Sequence, residues 1–241
     1  MRWLVVSLLL ASPAAAVTCT DTTHLGASYT ICEVSANEDV QLFLRDAQGD
    51  ILGSFSSVEA EMGRTLAFAM NAGMYHDNRD PVGHYIEDGV EQMRVISSAG
   101  PGNFGLLPNG VFCISDSLRV FETLDYLATK PACTFATQSG PMLVRGGALH
   151  PRLLPASDSR FIRNGVGTSA DGTRAVFAIS NEPVNFHDFG TLFRDTLTLP
   201  DALFFDGKVS RLYAPQLNRS DFGFGLLGPI VGVLDDGRAA D

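Results

Sequence analysis

Apolar residues in this chain fall mostly in short runs, and helix-like periodicity is rare. Residues 66–70 read Leu-Ala-Phe-Ala-Met, a continuous apolar run of the length and bounds of a central strand. Residues 40–44 and 51–55 flank Gln48-Gly49 and read as a hairpin. Asp88-Gly89, Pro108-Asn109-Gly110 and Asp171-Gly172 mark three further hairpins, the second joining residues 103–107 to 111–114. Residues 118–121 add a strand, and 135–144 are extended with a break at Ser139-Gly140-Pro141. Two helices are expected. Residues 122–130 form a short one, stopped by Pro131. Residues 186–197 form the longer one, with Phe186, Phe189, Phe193 and Leu197 on one face and Asn185 as its cap. The run Ala202-Leu203-Phe204-Phe205 follows and ends on Asp206, and residues 228–234 supply a last strand. The pattern predicts a strand-rich α+β domain with mixed or antiparallel sheets and a few flanking helices.

Composition narrows this picture. Residues 1–16 carry one positive charge, an apolar stretch and Ala14-Ala15-Ala16, the three parts of a secretory signal peptide. Residues 17–241 are then one domain of about 225 residues, exported to the periplasm or beyond. No other stretch is long and apolar enough to insert stably in a membrane. An even count of four cysteines in an exported chain points to disulfides. Of the three pairings, Cys19 with Cys32 and Cys113 with Cys133 closes the shortest loops and is expected. The net charge of −10, with no basic cluster anywhere in the sequence, argues against nucleic acid as a partner.

Phosphate-loop and His-Glu-x-x-His motifs are absent, and Thr137-Gln138-Ser139-Gly140-Pro141 lacks the first glycine of a nucleophile elbow. His76, His84 and Asp77 are the nearest thing to metal donors but have no ligand spacing, so neither a metal nor another cofactor is expected. Asp206-Gly207 permits two readings. Asp-Gly is a common turn, and a carboxylate at the end of a buried strand is also well placed for chemistry. Four segments combine glycine with polar groups at strand ends: Asn71-Ala72-Gly73-Met74-Tyr75, Gln138-Ser139-Gly140-Pro141, Arg163-Asn164-Gly165, and Asp206-Gly207 with Ser210. Glycine at such places lets backbone approach a ligand closely. Glu182 and Asn185 lie between a strand and the longer helix.

Taken together, Asn-Ala-Gly-Met-Tyr from Asn71, Thr-Gln-Ser-Gly-Pro-Met-Leu from Thr137, Arg-Asn-Gly-Val-Gly from Arg163 and Phe-Phe-Asp-Gly-x-x-Ser from Phe204 resemble the phosphodiester glycosidase family. Ser-Gly-Pro-Gly-Asn-Phe-Gly-Leu from Ser98 is similar to its branch of small exported bacterial proteins, as is Ala-Ile-Ser-Asn-Glu-Pro-Val-Asn-Phe-His-Asp-Phe from Ala178. The resemblance implies hydrolysis of the glycosidic bond of a sugar-1-phosphodiester or a related cell-envelope glycan. Asp206 is then the principal carboxylate, Glu182 the second, and Arg163 the phosphate contact. Asn71, Gly73, Tyr75, Gln138, Ser139, Gly140, Asn164, Asn185, Gly207 and Ser210 are the expected substrate-binding positions. The family loop Asp-Gly-Gly-Gly-Ser-Ser reads Asp206-Gly207-Lys208-Val209-Ser210 here, so its aspartate, first glycine and serine carry over and its glycine-rich middle does not. A non-catalytic periplasmic protein that binds glycan or a partner through the same groove is the alternative expectation.

Overall fold

The structure is a computed structural model that describes residues 17–235; the expected signal peptide lies outside the described residues. Three antiparallel sheets share one central core. The largest has seven strands in the order Thr18–His24, Ala27–Ser35, Arg174–Ser180, Asn164–Thr168, Asp201–Phe204, Met142–Arg145 and Ala148–Leu149. The second runs Arg219–Ser220, Leu212–Ala214, Leu66–Asn71, Ile230–Leu234 and Val40–Phe43. The third runs Val90–Met93, Tyr85–Glu87, Phe135–Ser139, Gly110–Ile114 and Leu118–Glu122. Phe177 of the first sheet meets Phe68 of the second at 4.8 Å and Phe112 of the third at 5.7 Å between ring centroids.

Each sheet turns its other face to one helix. Phe55 and Val58 of helix Phe55–Met62 cover Phe43, Ala69 and Ile230. Tyr126 of helix Thr123–Thr129 covers Val111 and Ala136. Phe189 of helix Phe186–Thr191 and Phe193 of the π-helical turn that follows cover Val176, Ala202 and Phe204. This double cover explains the apolar run before Asp206. Ala202 and Phe204 face the helix, while Leu203 and Phe205 face the central core. Side chains alternate along a strand, so a strand buried on both faces reads as a continuous apolar stretch.

Two local expectations are corrected. Residues 51–55 do not return as a hairpin strand. Only a single bridge joins Arg45 to Ile51, and Ser54 then caps a helix by accepting from the Ser57 N–H at 3.1 Å. Residues 103–107 are turn rather than strand. The longer expected helix is helical throughout, but it changes from α to π at Leu192. Both expected disulfides form, Cys19–Cys32 across the first hairpin and Cys113–Cys133 beside helix Thr123–Thr129. No helix among the described residues is long and apolar enough to cross a membrane.

Candidate active site

Asp206 stands where the Asp201–Phe204 strand leaves the core, at the wall of a cleft of about 520 Å³. Residues 74–77, Arg79, Val82, residues 101–104, Lys208, Val209, Gly225 and Leu226 complete the lining. Burial raises the Asp206 carboxyl above the usual aspartate range, against the opposing pull of the Lys208, Gly207 and Val209 backbone N–H groups and the Lys208 charge. The Lys208 N–H donates to its Oδ1 at 2.9 Å. Tyr75 is close enough for the Asp206 charge to add to the burial that raises its phenol.

The loop that follows Asp206 is set by two buried amides. Asn164 accepts from the Asp206 N–H at 3.0 Å, and its Nδ2 donates to Asn71 Oδ1 at 2.8 Å and to Asn71 O at 3.1 Å. Asn71 in turn donates to Val209 O at 2.7 Å and accepts from the Arg211 N–H at 2.9 Å. Both asparagines are fully buried. Ser210 closes the same loop by hydrogen bonding to Ile162 O and Asp206 O at 3.0 and 2.8 Å. These three side chains therefore position Asp206 and residues 207–211 instead of facing the cleft.

Other expected contacts are spent inside the protein as well. Gln138 accepts from the N–H groups of His84 and Ile96, each at 3.0 Å, and donates to Ile96 O and Thr123 Oγ1. It thereby anchors the start of the segment that walls the cleft. Ser139 is buried and donates to Phe205 O at 2.7 Å, which leaves no hydroxyl for nucleophilic chemistry. Asn185 caps helix Phe186–Thr191, accepting from the Asp188 N–H at 2.8 Å. Gly73 has φ +110°, and a Cβ there would sit 2.8 Å from Thr137 Oγ1. Gly140 packs against Asn109. Tyr75 lines the cleft with Asp206, and Gly207 faces a neighbouring pocket.

Arg163 and Glu182 are not where the resemblance implied. The Arg163 side chain is 1% exposed. Its Nε and Nη2 donate to Val184 O and Ser159 O, both at 2.9 Å, and its guanidinium carbon lies 3.5 Å from the Phe186 ring centroid. Burial lowers its pKa to about 10, so it stays charged at neutral pH. Glu182 is exposed, accepts from the Ser28 N–H at 2.9 Å and does not line the Asp206 cleft. Besides Lys208, the cation that shares the cleft with Asp206 is Arg79. Its guanidinium lies 5.4 Å from the Tyr75 ring centroid, Nη1 donates to Asp77 O, and Nε is buried with no hydrogen-bond partner. The loop of residues 71–81 is visibly rich in charge, but nothing in the sequence singles out Arg79, which has φ +74°. His84 points away, bonded to Met93 O and the Tyr126 hydroxyl, each at 2.9 Å, so it does not join His76 and Asp77.

A half-buried carboxylate at a strand end thus shares one cleft with Arg79, Lys208, Tyr75 and Phe104. The chain belongs to the phosphodiester glycosidase family, whose model matches residues 64–224. It is 35% identical over 178 residues to the uncharacterized protein YigE of Escherichia coli strain K12, covering 73% of this chain and 70% of that one. Its fold is similar to the catalytic domain of zebrafish N-acetylglucosamine-1-phosphodiester alpha-N-acetylglucosaminidase, auto-inhibited by its pro-peptide in that structure. The TM-score is 0.63 at 14% identity, over 93% of this chain and 85% of that one.

Proposed function

We propose that the protein is an exported hydrolase that cleaves the glycosidic bond of a sugar-1-phosphodiester. The observation that carries this reading is that Asp206, Arg79 and Lys208 line one cleft. In the proposed reaction Asp206 takes a proton from a water whose oxygen bonds to the anomeric carbon. The bond from that carbon to the phosphate oxygen breaks, and the products are the free sugar and a phosphomonoester. A phosphate leaves more readily than a sugar alkoxide, so charge stabilisation by Arg79 and Lys208 matters more than an acid at the leaving oxygen. Arg79 is suited to this because a guanidinium matches phosphate oxygens in a bidentate way, and it has no carboxylate within ion-pair distance among the described residues. Tyr75 and Phe104 add apolar ring surface to the wall of the same cleft. The name of the zebrafish relative makes N-acetylglucosamine the first sugar to try. The two disulfides support export to an oxidising compartment such as the periplasm.

The test is turnover of N-acetylglucosamine-1-phosphate methyl ester by the purified protein. Asp206→Asn is expected to lower kcat by about a hundredfold or more. Undiminished turnover in Asp206→Asn would remove the residue from the chemistry. Saturable binding of the ester without turnover would instead assign the cleft to a glycan-binding protein.

A further inference from the structure

A second pocket of about 660 Å³ lies beside the Asp206 cleft, and Lys208 and Val209 line both. Its charged groups are Arg160 and, from the single stretch of residues 208–221, Lys208, Arg211, Arg219 and one carboxylate, Asp221. The sequence has no basic cluster, yet folding assembles one. That is notable in a chain of net charge −10, whose overall field repels anions.

These cations are not equally free. Arg219 is a scaffold residue: it grips Asp221 through Nε and Nη2 at 3.0 and 2.9 Å and gives Nη1 to Asn181 and Thr30. Arg160 is only loosely opposed by Asp188, at 3.8 Å, and is exposed. Lys208 and Arg211 have no carboxylate within ion-pair distance among the described residues. Arg211 lies over Gly223, where a Cβ would collide with its guanidinium. Beneath the floor, the charged Arg163 has no carboxylate partner among the described residues either. Its Nη1 lies 3.7 Å from where a Cβ on Gly207 would sit, and Gly207 faces this pocket.

We propose that this pocket is an anion subsite that takes a second phosphate on the aglycone side of the substrate. The inference rests on reading the Asp206 cleft as the sugar-phosphodiester site, since Lys208 at the shared wall then lies between the scissile phosphate and the next one. The preferred substrates carry two phosphates in succession, either as a sugar diphosphate ester or as a sugar phosphate whose alcohol bears another phosphate. Arg160 and Arg211, both lining this pocket, can supply such a group with charge-assisted hydrogen bonds that an ester with a single phosphate cannot use.

Three substrates test it: N-acetylglucosamine-1-phosphate methyl ester, the corresponding 1-diphosphate methyl ester, and the 1-phosphodiester of glycerol 3-phosphate. One or both of the compounds with two phosphates is expected to show a KM at least about tenfold below that of the methyl ester, and which one does so gives the spacing. The Arg160→Gln, Arg211→Gln double variant is expected to erase that advantage while kcat/KM on the methyl ester stays within about twofold, since neither side chain lines the Asp206 cleft. Equal KM values across the three, or an advantage that survives in the double variant, would overturn the proposal. Calorimetric titration with inorganic pyrophosphate, against methyl phosphate as control, separates this from failure of the underlying reading. If no ester is turned over, saturable pyrophosphate binding that the double variant loses still supports the subsite, and no preference for pyrophosphate sinks it.

Discussion

Replacing Asn164 with alanine removes the acceptor of the Asp206 N–H and both hydrogen bonds to Asn71, all at a position with no solvent access. Water cannot reach the stranded N–H. A buried polar group left without a partner costs about 1–3 kcal/mol, so the Asp206 amide and the weakened Asn71 carboxamide together cost about 2–4 kcal/mol. That is a large share of the about 5–15 kcal/mol that holds a typical domain together. The assay is urea unfolding followed by circular dichroism, where this loss lowers the midpoint by about 1 M or more at unchanged slope. The same variant frees the backbone that sets Asp206, and a displacement near 1 Å lowers kcat by about a hundredfold. Asn164→Asp separates the two effects. It keeps the acceptor for the Asp206 N–H but places an oxygen against Asn71 Oδ1, so it is expected to lose stability more than it loses kcat per molecule folded. A midpoint in Asn164→Ala within about 0.3 M of wild type would refute this account of the loop.

The acid limb of kcat/KM is expected above the ordinary aspartate range of about 4, because burial favours the protonated Asp206 and the reaction uses the ionised form. The same raised pKa makes ionised Asp206 a burden on the fold, absent below the unfolded pKa and fully present above the folded one. Asp206→Asn is therefore expected to raise thermal stability at pH 7 and to give no gain near pH 3; equal effects at both pH values would contradict the burial argument. Arg79→Ala is expected to raise KM and lower kcat for the phosphodiester, and unchanged kinetics would remove it from the phosphate site. Converting Cys113 and Cys133 to alanine opens a loop of sequence separation 20 and is expected to cost about 3 kcal/mol in denaturant unfolding, with a loss below about 1 kcal/mol counting against an entropic role.

Much of the sheet framework is written in the apolar pattern. Leu66–Asn71 and Asp201–Phe204 are buried on both faces, and such strands show as unbroken runs. Asp88-Gly89 and Asp171-Gly172 mark their hairpins because few residue pairs tolerate the turn; Asp88 has φ +50° and Gly89 +75°. The hairpin of Thr18–His24 and Ala27–Ser35 has no such marker, since Leu25 takes φ +50° at its turn. The helix Phe55–Met62 escapes because its short apolar face follows directly on Ile51 and Leu52, which continue a strand-like pattern. In the candidate site, Asp206 is legible from its place after the apolar run. The roles of Asn71, Gln138 and Asn164 are not, because an amide looks the same in sequence whether it meets a ligand or a backbone. Arg79 is brought to Asp206, and Arg160 to Lys208, Arg211 and Arg219, only by the fold.

The amide relay of Asn71 and Asn164 also bears on how this loop can change over time. Its grips fall on the main chain of Asp206, Val209 and Arg211, not on the side chains between them. Residue 208 can therefore be exchanged with little change to the path of the chain, whereas a side chain at Gly207 would press on the buried Phe204 ring at 3.1 Å. Mutation at position 208 then reshapes a wall shared by two cavities while the Asp206 carboxylate stays in register.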